Sequence, residues 1–139
     1  MTPIEIASCV ILDDYGRLLM LHLNDGNNSY WDLPGGLVEE DETPEMAVLQ
    51  LASEQLAVEI TLVGSLGSEL IEEDDVAYQY HWYQAIISRG QPNVAYSEMF
   101  DDVDFFELDD MPSLALSHNM LTLYPKIYSG EISIDNNLS

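Results

Sequence analysis

The first part of the chain alternates apolar runs with short polar segments, as β-strands joined by turns do. Residues 4–12 and 17–23 are rich in aliphatic side chains and predict two strands. Residues 13–16 (DDYG) between them are typical of a tight turn. We therefore expect the two strands to form a hairpin. Cys9 lies in the first strand and is expected to be a buried thiol, because no basic neighbour would lower its pKa.

Two longer strands are expected in the middle of the chain. Residues 59–71 predict a strand with a break at Gly64 and a bulge at Gly67. The acidic residues 72–75 predict a solvated turn. Residues 76–87 (VAYQYHWYQAII) predict a strand whose successive side chains point to opposite faces. One face carries Tyr78, Tyr80 and Trp82, and the other carries Gln79, His81 and Tyr83.

Two helices are predicted. Thr43 and Pro44 are typical of a helix start, because a threonine hydroxyl caps a free backbone N–H and the first helical position needs no N–H. This helix should run to about Ala57. Residues 113–128 predict a closing helix from the helical spacing of their apolar positions, with Pro125 as the point where it could be interrupted.

Length and composition indicate one soluble α/β or α+β domain. The chain has 139 residues, of which 47% are hydrophobic, which is enough for a sizeable core. We expect a single domain over residues 1–139, with an ordered core at about 4–128 and a frayed tail at 129–139. The single cysteine excludes an internal disulfide and fits a reducing compartment. With no leader or membrane-spanning run apparent, a cytoplasmic protein is expected.

The surface is expected to be strongly acidic. Asp and Glu number 26 against 3 Lys and Arg, which gives a formal charge of −23. Such a charge repels nucleic acid and anionic membranes, so neither is an expected partner. It also repels free nucleotides unless a cation neutralises their phosphates. A salt-adapted surface, a cation-loaded site and a basic protein partner are the interpretations that the charge leaves open.

Residues 31–58 hold the candidate functional motif. The segment 31–36 (WDLPGG) ends in a tight turn, and an acidic loop and the first helix follow it. Gly36 and Glu42 have the spacing of the first two fixed positions of the Nudix box, G-x5-E-x7-R-E-U-x-E-E-x-G-U, where U is a bulky aliphatic residue. The segment 36–58 therefore resembles that box, and the chain from about residue 4 to 128 resembles the Nudix family.

The resemblance implies a fold and an activity. The fold would be a Nudix-type α/β/α sandwich with a mixed sheet, in the α/β (α+β) class. The activity would be Mg²⁺- or Mn²⁺-dependent cleavage of a nucleoside diphosphate linked to another group. In the family, carboxylates on one side of the helix hold the metal, which bridges the phosphates and helps to activate a water. The expected partner is a small nucleotide derivative, and a homodimer is left open.

The resemblance also implies which residues act at the metal. Gly36 and Glu42 belong to the frame of the box. Gly35 would lend its backbone carbonyl to the metal, and Glu54 would be the ligand on the helix. Glu98, in a later loop, would complete the shell. Glu54 and Glu98 are therefore the candidate catalytic residues.

Three further residues are candidates for substrate binding. Tyr30 and Trp31 precede the turn and could stack on a base, although packing in the core is an equal alternative. His81 could face the ligand cleft from its strand, although an ordinary position in the sheet is the alternative. The later segment 97–112 also resembles the family, with an aromatic strand before an acidic helix lead.

Three of the charged positions of the box pattern are changed in this chain. Gln50 stands at the Arg position, Leu51 at the first Glu and Gln55 at the second of the paired Glu. Leu51 cannot bind a hard cation, and a neutral amide is a weaker Mg²⁺ ligand than a carboxylate. Two functions stay open. One is a pyrophosphohydrolase with a rearranged, impaired metal site, and the other is a non-catalytic Nudix domain that binds a nucleotide-like ligand or a protein partner.

We predict that salt stabilises the fold. Raising NaCl from low to moderate concentration should raise the melting temperature, because ions screen the repulsion within a surface of charge −23. Divalent salts should act in the same direction. Thermal unfolding followed by circular dichroism measures this. An unchanged or lower melting temperature would show that the acidic residues are spaced or paired well enough not to repel.

Overall fold

The computed structural model describes residues 2–94 and 99–135. Its strands and helices confirm the expected α/β (α+β) class. The elements in chain order are β1 (Ile4–Ile11), β2 (Leu18–Asn24), β3 (Ser29–Asp32), β4 (Gly35–Leu37), α1 (Pro44–Leu56), β5 (Glu59–Glu73), β6 (Val76–Arg89), β7 (Phe100–Phe106), a 3-10 helix (Leu108–Ser113) and α2 (His118–Tyr128).

The strands form two sheets. The first has the order β4-β1-β6-β5, and it is the expected mixed sheet because β1 runs parallel to β6. The second has the order β3-β2-β7 and is antiparallel. The predicted hairpin of β1 and β2 is therefore wrong. β1 pairs with β4 on one edge and with β6 on the other, and beside the turn Leu12, which follows β1, makes an isolated antiparallel bridge to Leu18.

The two helices cover opposite sides of the sheets. The α1-side core includes Ala7, Cys9, Ile11, Val48, Ala52 and Leu56. The α2-side core includes Val10, Trp82, Met120, Leu123 and Ile127. β1 contributes to both cores because its side chains alternate between the two faces. Cys9 is the expected buried thiol, and burial raises its pKa to about 12.

Helix α1 confirms the predicted start and end. The Thr43 hydroxyl accepts a hydrogen bond from the Met46 N–H at 3.2 Å, and Pro44 is the first helical residue. The helix ends at Leu56, and Ala57 caps it with a left-handed φ of 57°. These local signals fix the orientation of α1 along β1 and β4, where the box turn lies.

Strands β5 and β6 form a long antiparallel hairpin. Its register shifts between Leu62 and Gly64 and again before Gly67, so the predicted break at Gly64 is a bulge and the predicted bulge at Gly67 is confirmed. Asp74 and Asp75 form the turn with left-handed φ values of 51° and 65°. Carboxylate residues tolerate this conformation better than branched ones, which explains the acidic turn.

Helix α2 begins later than predicted. The Ser117 hydroxyl accepts a hydrogen bond from the Met120 N–H at 3.1 Å, and the helix starts at His118 instead of residue 113. The preceding residues form the 3-10 helix and an extended connection in which Leu116 pairs with Trp31. Pro125 lies inside α2 and does not end it.

The start of the predicted frayed tail is docked. Ile132 and Ile134 pack against the α2-side core. The Gln84 side chain binds the backbone of Asp135 twice, donating to its carbonyl at 2.8 Å and accepting from its N–H at 2.9 Å. The expectation of a frayed tail is therefore wrong for residues 129–135, because two apolar side chains and a buried amide hold the segment down.

We predict that removing the tail contacts destabilises the fold. The variant Ile132→Ala/Ile134→Ala should lose about 1 kcal/mol of unfolding free energy per side chain, because each is partly buried. Urea unfolding measures the change. Leu121→Ala on the exposed side of α2 is the control and should change little. Equal stability of the double variant and the parent would show that these contacts do not stabilise the fold, as expected for a frayed tail.

Candidate functional site

The box turn lies directly on β1. Gly35 has a φ of 136°, and a Cβ there would overlap the Ala7 carbonyl and lie 2.7 Å from the Ser8 Cα. Only glycine fits this position. A Cβ on Gly36 would lie 3.2 Å from the Leu51 side chain of α1. The turn is therefore held between the central strand and the helix, in the place that the sequence predicted.

The side chain of Gln55 joins α1 to this turn. Its Nε2 donates to the Gly35 carbonyl at 2.8 Å, and its Oε1 accepts from the Gly35 N–H at 2.9 Å. Gln55 is 9% exposed. Both polar atoms of the amide are thus used on one residue of the turn. The Gly35 carbonyl, expected as a metal ligand, already has a hydrogen-bond donor.

The remaining box side chains make separate contacts around the turn. Glu54 is exposed and accepts a hydrogen bond from Gln50 at 3.3 Å. Glu42 stays within the acidic loop, where its carboxylate accepts from the Glu39 N–H at 3.2 Å. Leu51 brings an apolar surface towards the turn. Glu98 lies outside the described residues.

Two cavities meet beside the turn. The box cavity has a volume of about 420 Å³, and its walls include Leu23, Gly35, Leu51, Glu54, Gln55 and Phe100. The Tyr80 cavity has a volume of about 640 Å³, and its walls include Tyr30, Glu73, Tyr78, Tyr80, Ser117 and His118. Ile6 and Asp32 line both cavities. Among the residues that the structure describes, no Lys or Arg lines either cavity.

Asp32 lies where the two cavities meet. One carboxylate oxygen, Oδ1, accepts from the Leu33 N–H at 2.7 Å, from the Ser117 hydroxyl at 2.7 Å and from Asn119 Nδ2 at 3.3 Å. Burial raises the pKa of Asp32 to about 6, and these hydrogen bonds limit the rise. Ser117 and Asn119 belong to the start of α2, so that helix positions the carboxylate. Asn119 also accepts from the Trp82 indole N–H at 2.7 Å.

A chain of three side chains lines the Tyr80 cavity. The Tyr80 hydroxyl is 2.7 Å from His118 Nδ1, and His118 Nε2 is 2.8 Å from a Glu73 carboxylate oxygen. Burial raises the pKa of Tyr80 to about 12, which keeps its hydroxyl protonated at neutral pH. The Tyr78 ring lies parallel to the Tyr80 ring at 6.1 Å. The cavity therefore combines aromatic surface with hydrogen-bonding groups.

The substrate-binding candidates have separate positions. Tyr30 lines the Tyr80 cavity. Trp31 packs between His22 and Phe106, with ring centroids 4.9 and 4.6 Å away. His81 lies on the face of β6 opposite Tyr80 and is 3.0 Å from a Glu5 carboxylate oxygen. The structure therefore does not bring His81 to the Tyr80 cavity.

Sequence reasoning missed three residues that face the Tyr80 cavity. Asp32 stands inside the WDLPGG segment, where an acid between two apolar residues was the available signal. Tyr80 belongs to the aromatic face of β6, which was recognised without being connected to a site. His118 is the first residue of α2, directly after its cap Ser117. Because the helix was predicted to begin at residue 113, His118 was not recognised as a residue at a helix start.

Comparison with known proteins identifies the family. A family model described as NUDIX domain matches residues 2–127, so the chain belongs to the Nudix family. The structure resembles the MutT NUDIX hydrolase from Burkholderia pseudomallei, with a TM-score of 0.78 at 24% identity over 91% of this chain and 99% of that one. This likeness confirms the predicted Nudix fold.

Two curated relatives match different lengths of the chain. An 8-oxo-dGTP diphosphatase from Proteus vulgaris is 32% identical over 60 residues, which cover 42% of this chain and 54% of that protein. The low-salt glycan biosynthesis protein Agl8 from Haloferax volcanii is 28% identical over 130 residues, covering 92% of this chain and 74% of that protein. The match to the diphosphatase thus spans about half of its length.

Nudix proteins generally use divalent metal ions such as Mg²⁺ or Mn²⁺. The described box residues do not fit such an ion. Within residues 2–94 and 99–135, no three His, Cys, Asp or Glu side chains are grouped closely enough to hold a metal. The Gly35 carbonyl is bound by an amide, and Leu51 offers no ligand atom.

No helix in the described part of the chain is long and apolar enough to cross a membrane.

We predict that Asp32→Asn stabilises the fold above pH 6. The folded-state pKa of Asp32 is about 6, above the ordinary value of 3.8, so the folded protein holds this proton more tightly than the unfolded chain. The stability contributed by the protonated group is full below about pH 3.8 and is lost as the pH rises through 6. In urea unfolding from pH 4 to 8, the unfolding free energy of Asp32→Asn should therefore increase relative to that of the parent as the pH rises.

Asp101→Asn is the matched control with the opposite sign. Hydrogen bonds from His22 and Asn24 lower the pKa of Asp101, so its ionised form stabilises the fold above its ordinary pKa. This variant should be less stable than the parent at pH 7, and the difference should shrink as the pH falls. A difference between Asp32→Asn and the parent that does not vary with pH would contradict the pKa assigned to Asp32.

Proposed function

We propose that this protein binds a nucleotide derivative across the two cavities and that metal-dependent hydrolysis of that ligand is strongly impaired. The proposal rests on the two hydrogen bonds by which the Gln55 side-chain amide binds both the N–H and the carbonyl of Gly35. This contact places a neutral hydrogen-bonding group where the family resemblance implies a charged metal ligand. Loss of a general base alone slows a reaction by roughly 10²- to 10⁴-fold.

The base end of the ligand is assigned to the Tyr80 cavity. Tyr30, Tyr78 and Tyr80 provide aromatic surface, and Asp32 provides a carboxylate that accepts hydrogen bonds. A planar heterocycle with N–H donors along one edge matches these groups, because a base offers both a stacking face and donors. Replacing Asp32 with alanine removes the acceptor and should weaken binding.

The phosphate end of the ligand is assigned to the box cavity. The three basic residues of the chain lie elsewhere: Arg17 pairs with Asp13 at 2.7 Å, Lys126 pairs with Glu69 at 3.2 Å, and Arg89 ends β6. Glu39 and Glu54 line the box cavity. Because no described residue of this cavity carries a positive charge that would neutralise phosphate, derivatives with fewer negative charges should bind more tightly than nucleoside triphosphates.

A working hydrolase is the second candidate. It is favoured by Glu54 at the wall of the box cavity and by the similarity to a protein named as a diphosphatase. In that arrangement Glu54, Glu98 and the Gly35 carbonyl would hold Mg²⁺ or Mn²⁺, and Glu54 and Glu98 would be the catalytic residues. The Gln55 amide would then have to leave the Gly35 carbonyl. A cytoplasmic location and a homodimer stay predictions under both candidates.

Turnover separates the two candidates. The parent, incubated with nucleoside diphosphate derivatives and Mn²⁺, should hydrolyse them slowly, while calorimetry should detect binding of the same compounds. The variant Leu51→Glu/Gln55→Glu places two further carboxylates beside Glu54. It should bind Mn²⁺ more tightly than the parent, by roughly tenfold or more, because ligand charge count sets the affinity for hard cations. It should also gain whatever hydrolysis the cavities support.

The control is Leu121→Glu/Tyr128→Glu, which adds the same two charges to exposed positions of α2, away from the box. Its affinity for Mn²⁺ should rise no more than two added surface charges would raise it anywhere on the protein. Brisk hydrolysis by the parent, lost on changing Glu54 or Glu98 to glutamine, would establish the hydrolase and reject the binding protein. Absence of both binding and turnover across the panel would reject the proposed ligand class.

A further inference from the structure

We propose that the Gln55 amide replaces a divalent cation as the crosslink between α1 and the Gly35 turn. The family resemblance implies that a metal would join the turn carbonyl to helix carboxylates. Here the same connection is made by two hydrogen bonds from one neutral side chain, at 2.8 and 2.9 Å. We call this contact the amide clamp. The inference rests on the same contact as the proposed function, but it concerns folding, so it is tested without turnover.

The chemistry of an amide suits this position, and that of a carboxylate does not. The turn presents one donor, the Gly35 N–H, and one acceptor, the Gly35 carbonyl. A glutamine offers an acceptor and a donor at once and satisfies both. An ionised glutamate offers acceptors alone, so one of its oxygens would face the carbonyl oxygen. That arrangement is stable when a cation lies between the two oxygens.

The location of the amide clamp makes it important for the fold. Gln55 is buried, so its polar atoms have little access to water as an alternative partner. Gly35 lies on the backbone of β1, and Leu51 covers Gly36 from the helix. The clamp therefore closes a continuous contact from β1 through the turn to α1. It follows that the box of this protein is assembled without metal.

The chain contains a matched contact far from the box. Gln84 is buried on the α2 side and makes the same pair of hydrogen bonds, at 2.8 and 2.9 Å, to the backbone of Asp135. Changing it to glutamate removes the same donor and adds the same charge. Gln84→Glu is thus a control for the loss of the donor and the gain of the charge, at a place away from the box, where Glu54 and Glu39 line the same cavity as Gln55.

The experiment compares the melting temperatures of the parent, Gln55→Glu and Gln84→Glu. Measurements are made with EDTA and with Mn²⁺, both in about 1 M NaCl. At this ionic strength the Debye length is about 3 Å, so exposed charges are already screened and Mn²⁺ adds no further general screening. The parent should melt at the same temperature in EDTA and in Mn²⁺. Both variants should melt lower than the parent in EDTA. Mn²⁺ should raise the melting temperature of Gln55→Glu and leave that of Gln84→Glu unchanged.

Two results would overturn the inference. One is a parent whose melting temperature falls in EDTA, because a metal would then hold the box. The other is an equal response of the two variants to Mn²⁺. If Gln55→Glu does not fold, amide hydrogen exchange of the parent decides: the Gly35 N–H should be protected in EDTA, and exchange at the rate of an unprotected amide would reject the clamp. A parent with stable folding in EDTA but brisk Mn²⁺-dependent turnover would refute the proposed function and leave the clamp standing.

Discussion

The close approach of the Gly35 turn to β1 is the constraint on which the site depends. A residue larger than glycine would collide with the backbone of Ala7 and Ser8. The turn fixes Asp32 on its upstream side, because β3 ends there, and it fixes Leu37 and the acidic loop on its downstream side. The amide of Gln55 then joins the turn to α1. Both cavities take their shared wall from this assembly.

The charges of the protein make a neutral connection advantageous. A site built from three carboxylates would add repulsion to a chain that already carries −23. A glutamine holds the same two elements together and adds no charge. Asp32, the ionisable group between the two cavities, is held by Ser117 and Asn119, which are neutral as well. The interior of the site is thus organised by hydrogen bonds from neutral side chains, with Asp32 as a buried acidic group among them.

Local signals in the sequence predicted local structure, and contacts distant in sequence were not predictable from them. Thr43 and Pro44 located α1 because capping depends on neighbouring residues. The predicted β1–β2 hairpin was wrong because β1 pairs in parallel with β6, which lies more than sixty residues further along the chain. The role of Gln55 was inaccessible for the same reason: the sequence shows a missing carboxylate, but its partner, Gly35, is 20 residues away. Burial raises the pKa of Asp32, and hydrogen bonds from Ser117 and Asn119 of α2, at the far end of the chain, limit that rise.

The long strand β5 has a consequence for the behaviour of the protein in solution. It forms an edge of the mixed sheet, and its outer backbone groups are open to pairing with another molecule. Val63 and Leu70 are 45% and 50% exposed along it. Three register shifts along β5 and the carboxylates of Glu59, Glu69 and Glu72 discourage such pairing. Without those charges the register shifts would be the main barrier, and the edge of β5 would become the surface through which the protein aggregates.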